Sequence, residues 1–127
     1  MTAYVIGHLR PTYPHTDIAD YMDRVVATFE PYGGEFLVHG TRHEVLEGTW
    51  EGGVVVVGFP DLEAAHAWWD SPGYRAIAPL RSRHIDGDIV VVDGVAPGYR
   101  PAAAAAEMRE AAAADGSRAV SPAAVDA

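Results

Sequence analysis

Apolar residues along this chain alternate between a strand spacing and a helix spacing, with a break at each change. Tyr4 to Leu9 (YVIGHL) reads as a strand, bounded by Pro11 and Pro14. With Thr16 or Asp17 as N-cap, Ile18, Tyr21, Met22, Val25 and Phe29 then fall on one face of a helix, which Pro31 and the pair Gly33-Gly34 end. Glu35 to His39 (EFLVH) predicts a second strand that bends at Gly40 and resumes through Val45 and Leu46. A loop with Gly48, Gly52 and Gly53 leads into a third strand, Val54 to Phe59 (VVVVGF).

Asp61 is placed to cap a second helix, with Glu63 suited to the dipole of its first turn and Leu62, Ala65, Trp68 and Trp69 on its apolar face. Ser71-Pro72-Gly73 stops that helix, and Tyr74 to Arg83 predicts one or two further turns interrupted by Pro79. Ile89 to Val92 (IVVV) is the last strand. The order β-α-β-β-α-β is the split βαβ arrangement of α+β proteins called ferredoxin-like. The third and fourth strands are almost unbroken valine and isoleucine, which implies burial on both faces. Two helices cover one face of a four-stranded sheet, so the other is expected to meet the same face of a second copy. A domain of this size is marginal alone and gains from such a partner.

Composition changes near Gly94. Residues 1–94 form the expected domain and carry −8 of the formal net charge of −9. Residues 95–127 are rich in alanine and poor in large apolar residues, and read as a flexible or loosely helical tail. The acidic balance disfavours nucleic acid. The chain has no cysteine, hence no disulfide or thiolate site, and its N-terminus shows neither a signal peptide nor a membrane span; a cytoplasmic protein is expected. No phosphate loop, dinucleotide fingerprint or nucleophile elbow is present, and no cofactor is expected.

The segments YGGEFLVHG (Tyr32 to Gly40), VLEGTW (Val45 to Trp50) and FPDLEAAHAWWDSPGYRAIAPLR (Phe59 to Arg81) resemble the bacterial family known as domain of unknown function 1330, over about residues 3–94. The resemblance implies a protomer of the dimeric α/β-barrel superfamily, which includes cofactor-free monooxygenases, muconolactone isomerases and chlorite-dismutase-like haem proteins. It implies no reaction. The chain departs from the family pattern at Glu51, where an arginine commonly follows the tryptophan, and at Trp69, where tyrosine is usual.

Several residues are candidates for chemistry. His8 and His39 lie on strands, and each could act as a general base or acid near neutral pH or remain a hydrogen-bonded barrel histidine. Glu47 follows two apolar residues at the end of the resumed strand; enclosed there, it would suit a proton shuttle, and otherwise it would pair with an arginine or accept backbone amides. Tyr74 and Arg81, seven residues apart, share a helical face, so the guanidinium could hold a substrate carboxylate beside the phenol. Arg81 could equally pair with Glu47 or Asp70. Tyr32, in the Tyr-Gly-Gly segment, joins the substrate-binding candidates. Trp50, in a glycine-rich loop, suggests a pocket wall or lid, and Trp68 a core residue. The six histidines show no compact ligand spacing, so no metal site is expected.

The function expected from these residues is a homodimer with an apolar pocket between sheet and helices that binds a hydrophobic small molecule. The alternative is a cofactor-independent enzyme carrying out isomerisation, oxygenation or cyclisation by proton transfer from Glu47, His39 or His8. A further alternative is haem binding through His8 or His39.

Overall fold

The computed structural model describes residues 2–114 and 119. Four strands, β1 (Ala3–Leu9), β2 (Glu35–His39), β3 (Gly53–Phe59) and β4 (Gly87–Asp93), form one sheet in the order β2-β3-β1-β4. Every neighbouring pair is antiparallel, with Val5 opposite both Val57 and Val91. Helices α1 (Thr16–Phe29), α2 (Leu62–Asp70) and α3 (Pro72–Ser82) lie between the strands in sequence, and α4 (Ala102–Ala114) follows them. This is the mixed α+β, ferredoxin-like arrangement that the spacing predicts.

The alternation of side chains along the strands separates two faces. Ala3, Val5, Val57 and Phe59 join Val25, Phe29, Trp68 and Tyr74 from the helices in the buried core. The opposite face carries Tyr4, Ile6, Val54, Val56, Val90 and Val92, by the register of the ladder. In the protomer that face is open: Val90 is 54% and Val92 43% exposed, and Leu37 of β2 is 49% exposed. The valine runs are therefore not buried on both faces: β3 buries Val57 toward the helices, while in β4 Val90, Val91 and Val92 are all at least 38% exposed.

Three local expectations are corrected. His15, not Thr16 or Asp17, caps α1, its ring nitrogen accepting the Asp17 amide at 3.0 Å. Pro79 does not interrupt α3, which is continuous with Ser71 as its cap and Pro72 in its first turn. Tyr74, Ile77, Ala78 and Arg81 all bury along one face across the proline, and this packing outweighs the single backbone bond that Pro79 removes. The second strand does not resume at Val45 and Leu46. β2 is an edge strand with no neighbour beyond it, and after Gly40 (φ 65°) the chain runs without strand structure, leaving Leu46 93% exposed.

The chain divides into two compact units, Met1–Gly94 and Val95–Ala127. In the second, α4 has no buried residue among those described. No helix among the described residues is long and apolar enough to cross a membrane.

Candidate functional site

Between the helix-facing side of the sheet and α1 and α3 lies a space of about 610 Å³, counting the part open to solvent. Val5, Gly7, Val55, Val57 and Ile89 form its floor, and Ile18, Tyr21, Met22 and Val25 of α1 form one wall. Leu9, Phe36, His39, Trp68, Trp69, Tyr74, Arg81 and Ile85 complete the lining. Gly7 keeps the centre of the floor low, since a β-carbon there would stand 3.1 Å from Ile89 and project into this space. Its enclosed part is only about 70 Å³, so an organic molecule held there would extend into the part open to solvent.

One charge enters this apolar lining. Arg81 is 8% exposed, and among the described residues no carboxylate forms an ion pair with it. Its polar company is the pair of phenols Tyr21 and Tyr74, whose hydroxyl oxygens are 2.9 Å apart. The guanidinium carbon lies 5.7 Å from the centre of the Tyr21 ring. Burial opposes the charge on Arg81, but the Tyr74 and Tyr21 oxygens outweigh it, so the guanidinium holds its proton more firmly than an ordinary arginine. Burial, followed by the Tyr74 hydroxyl, pushes the Tyr21 phenol up, so it stays a hydrogen-bond donor at neutral pH.

The other residues singled out from the sequence are dispersed. His39 lines the cavity, its ring 4.6 Å from that of Phe36. His8 faces the other way, because it alternates with Gly7 and Leu9, which line the cavity. Its ring stacks on Trp50 at 3.9 Å and its Nε2 lies 2.6 Å from the Glu51 carbonyl oxygen. Trp50 is thus neither wall nor lid of the cavity; it covers the open face of the sheet at one end. Glu47 is exposed in the loop after β2, away from the lining, and pairs with neither Arg81 nor any other arginine among the described residues. Asp70 is exposed and likewise unpaired with Arg81. Tyr32 packs partly buried against the core outside the lining. Trp68 is core, 3% exposed, its indole N–H donating to Thr28 Oγ1 at 3.0 Å.

Gly52 places the Trp50 loop. With φ at 93°, a β-carbon there would lie 1.9 Å from the Leu9 carbonyl oxygen. Gly52→Ala is therefore expected to lower unfolding stability by ~2–3 kcal/mol, read as a fall in the urea midpoint at unchanged slope. A change below about 0.5 kcal/mol would show that the loop does not close on β1.

Two features escaped the sequence. Tyr21 reads there only as one apolar-face residue of α1, although a phenol on an inward stripe needs a hydroxyl partner. The second is a cluster of His15, Asp17 and His84, with the two rings stacked at 3.8 Å and His84 Nε2 2.9 Å from Asp17 Oδ2. His84 follows Asp17 by 67 residues, so ligand spacing does not disclose the cluster.

Solved structures share this fold. The chain is similar to RPA0582, a protein of unknown function from Rhodopseudomonas palustris, with TM-score 0.57 and 20% identity over 76% of this chain and 84% of that one. It is similar to a variant of SnoaB, a cofactor-independent oxygenase from Streptomyces nogalater, with TM-score 0.53 and 15% identity over 79% and 97% of the two chains. A dimeric ferredoxin-like protein of unknown function from Jannaschia sp. CCS1 gives TM-score 0.52 and 10% identity over 74% and 100%. At such identities the likeness concerns the fold. No curated protein matches the chain. The family model for the domain of unknown function DUF1330 matches residues 2–95, and the chain belongs to that family.

Proposed function

We propose that this protein is a homodimer in which each protomer binds a small hydrophobic acid between its sheet and its helices. The observation that carries the reading is Arg81: a buried guanidinium with no carboxylate partner among the described residues, opening on an apolar cavity between two phenols. A bound carboxylate or enolate would supply the missing counter-charge. The fork would grip it, and the phenol of the hydroxyl pair that is not donating to the other would donate beside it. The apolar floor would hold the remainder of the molecule.

Dimerisation through the open face of the sheet follows from that face's composition and is supported by the dimeric protein that shares the fold. The proposed tail, residues 95–127, is an appendage to this dimer. A chain ending at Gly94 is expected to melt within about 3 °C of the full chain, whereas a fall of about 10 °C would show that the tail is part of the fold.

His39 favours a second reading on the same site. As the histidine in the lining, it could take a proton from a bound acid or ketone while Arg81 and the phenols stabilise the resulting enolate. The binding reading is tested with 1-naphthoate and its neutral amide, followed through the fluorescence of Trp68 and Trp69. Naphthoate is expected to bind at least about tenfold more tightly, given what a charge-assisted hydrogen bond contributes. Equal affinities, or no binding of either, would overturn the acid-binding reading.

A further inference from the structure

We propose that His15, Asp17 and His84 form a binding site for a divalent transition-metal ion of the zinc class. The three residues offer two imidazole nitrogens and a carboxylate oxygen within 4.8 Å of one another. Two neutral nitrogens and one hard oxygen are the donor set that Zn²⁺, Co²⁺ and Ni²⁺ prefer, and too few oxygens for Ca²⁺ or Mg²⁺. With three protein ligands, the remaining coordination positions face solvent. The side chains are 45%, 30% and 24% exposed for His15, Asp17 and His84, which leaves an entry path while limiting their freedom.

The backbone around the site is held from several sides. Asp17 stands in the first turn of α1, and His84 follows the end of α3, its amide donating to the Arg81 carbonyl at 3.0 Å. Thr12 Oγ1 donates to the His84 carbonyl, holding the following peptide unit of the same residue. Such outer contacts orient metal ligands. Donor atoms around a tetrahedral ion stand ~3.4 Å apart, given bond lengths near 2 Å. His84 Nε2 and Asp17 Oδ2 are closer than that at 2.9 Å, and His15 Nδ1 is 3.7 Å from the same oxygen. These two separations lie within about 0.5 Å of that spacing, and all three donors lie within 4.8 Å of one another. If His15 ligates through Nδ1, it gives up the hydrogen bond from the Asp17 amide, which water replaces at this exposed helix end. The carboxylate offsets the repulsion between a cation and the positive end of the α1 dipole. The site does not depend on what the neighbouring cavity holds.

The test uses the full chain, stripped of metal and titrated with Zn²⁺ by calorimetry at neutral pH. One ion per chain at micromolar dissociation constant is expected, and the melting temperature should rise with Zn²⁺, because the separated ligands of the unfolded chain bind more weakly. His15→Asn keeps a capping side chain and removes the imidazole; His84→Gln removes the other. Each is expected to weaken Zn²⁺ by more than the roughly 10–100-fold that loss of an outer contact costs. Should a variant misfold, Co²⁺ added to the wild-type chain should perturb the imidazole resonances of His15 and His84 before those of the other four histidines among the six. Millimolar or absent binding would overturn the proposal. So would affinity undiminished in the double variant, or a Co²⁺ effect centred on other histidines.

Discussion

Val90→Asp is expected to turn a dimer into a well-folded monomer. Val90 faces away from the helices opposite Ile6 and is 54% exposed in the protomer, so a carboxylate there stays in water and leaves the fold intact. In a dimer formed through that face, each copy would bury an unpaired charge. An uncompensated buried charge costs ~3–5 kcal/mol. Two such charges per dimer amount to ~6–10 kcal/mol, about 10⁴–10⁷ in the dissociation constant. Light scattering at micromolar concentration should give twice the chain mass of 13.6 kDa for the natural sequence and once that mass for the variant. A monomeric natural protein, or a dimeric Val90→Asp, would remove this face from consideration as the interface.

Arg81→Met should separate stability from binding. Methionine keeps much of the length and apolar contact of the side chain but takes the guanidinium from the Tyr74 and Tyr21 oxygens that outweigh its burial, so the urea midpoint should change little. Affinity for 1-naphthoate should fall about 10–150-fold, equivalent to the ~1.5–3 kcal/mol of a hydrogen bond to a charged group. Affinity for the neutral amide should hardly change. Arg81→Lys keeps the charge and loses the planar fork, and should fall between the two. A clear drop in midpoint for Arg81→Met, with naphthoate unaffected, would make Arg81 a structural residue.

The strands and helices were legible because each is written in local spacing. β1, β2 and β3 appear within a residue of where the alternation puts them, and Asp61 caps α2 as its position before Leu62 implies. Local signals misled where tertiary packing decides. Pro79 looks like a break until the buried face of α3 is seen to continue across it. Val45 and Leu46 look like a strand until β2 proves to be an edge. For the site, Tyr74 and Arg81 were legible because a helix repeats its face every seven residues. The apolar neighbours of Glu47 suggest enclosure, yet Glu47 is exposed and Leu46 beside it almost wholly so, because the strand expected there does not form. His8 and His39 both sit on strands. Only the register, interrupted by an irregularity between Phe36 and Val38, shows that they face opposite sides of the sheet. The cluster at His15 depends on α1 meeting the end of α3, a juxtaposition with no local signature.

The position of β1 in the sheet also bears on how the chain is made. Of the four strands, the one made first is central in the sheet, and both its neighbours come later. Ala3 pairs with Phe59 and Asp93, so its last partner follows 90 residues behind it. At the usual pace of ~5–20 residues per second, that interval is roughly 5–20 s. During it, Tyr4 to Leu9 has unpaired backbone on at least one side. Sheet completion is thus a late, long-range event, and the nascent chain offers an open edge for chaperones or for a neighbouring copy on the same message.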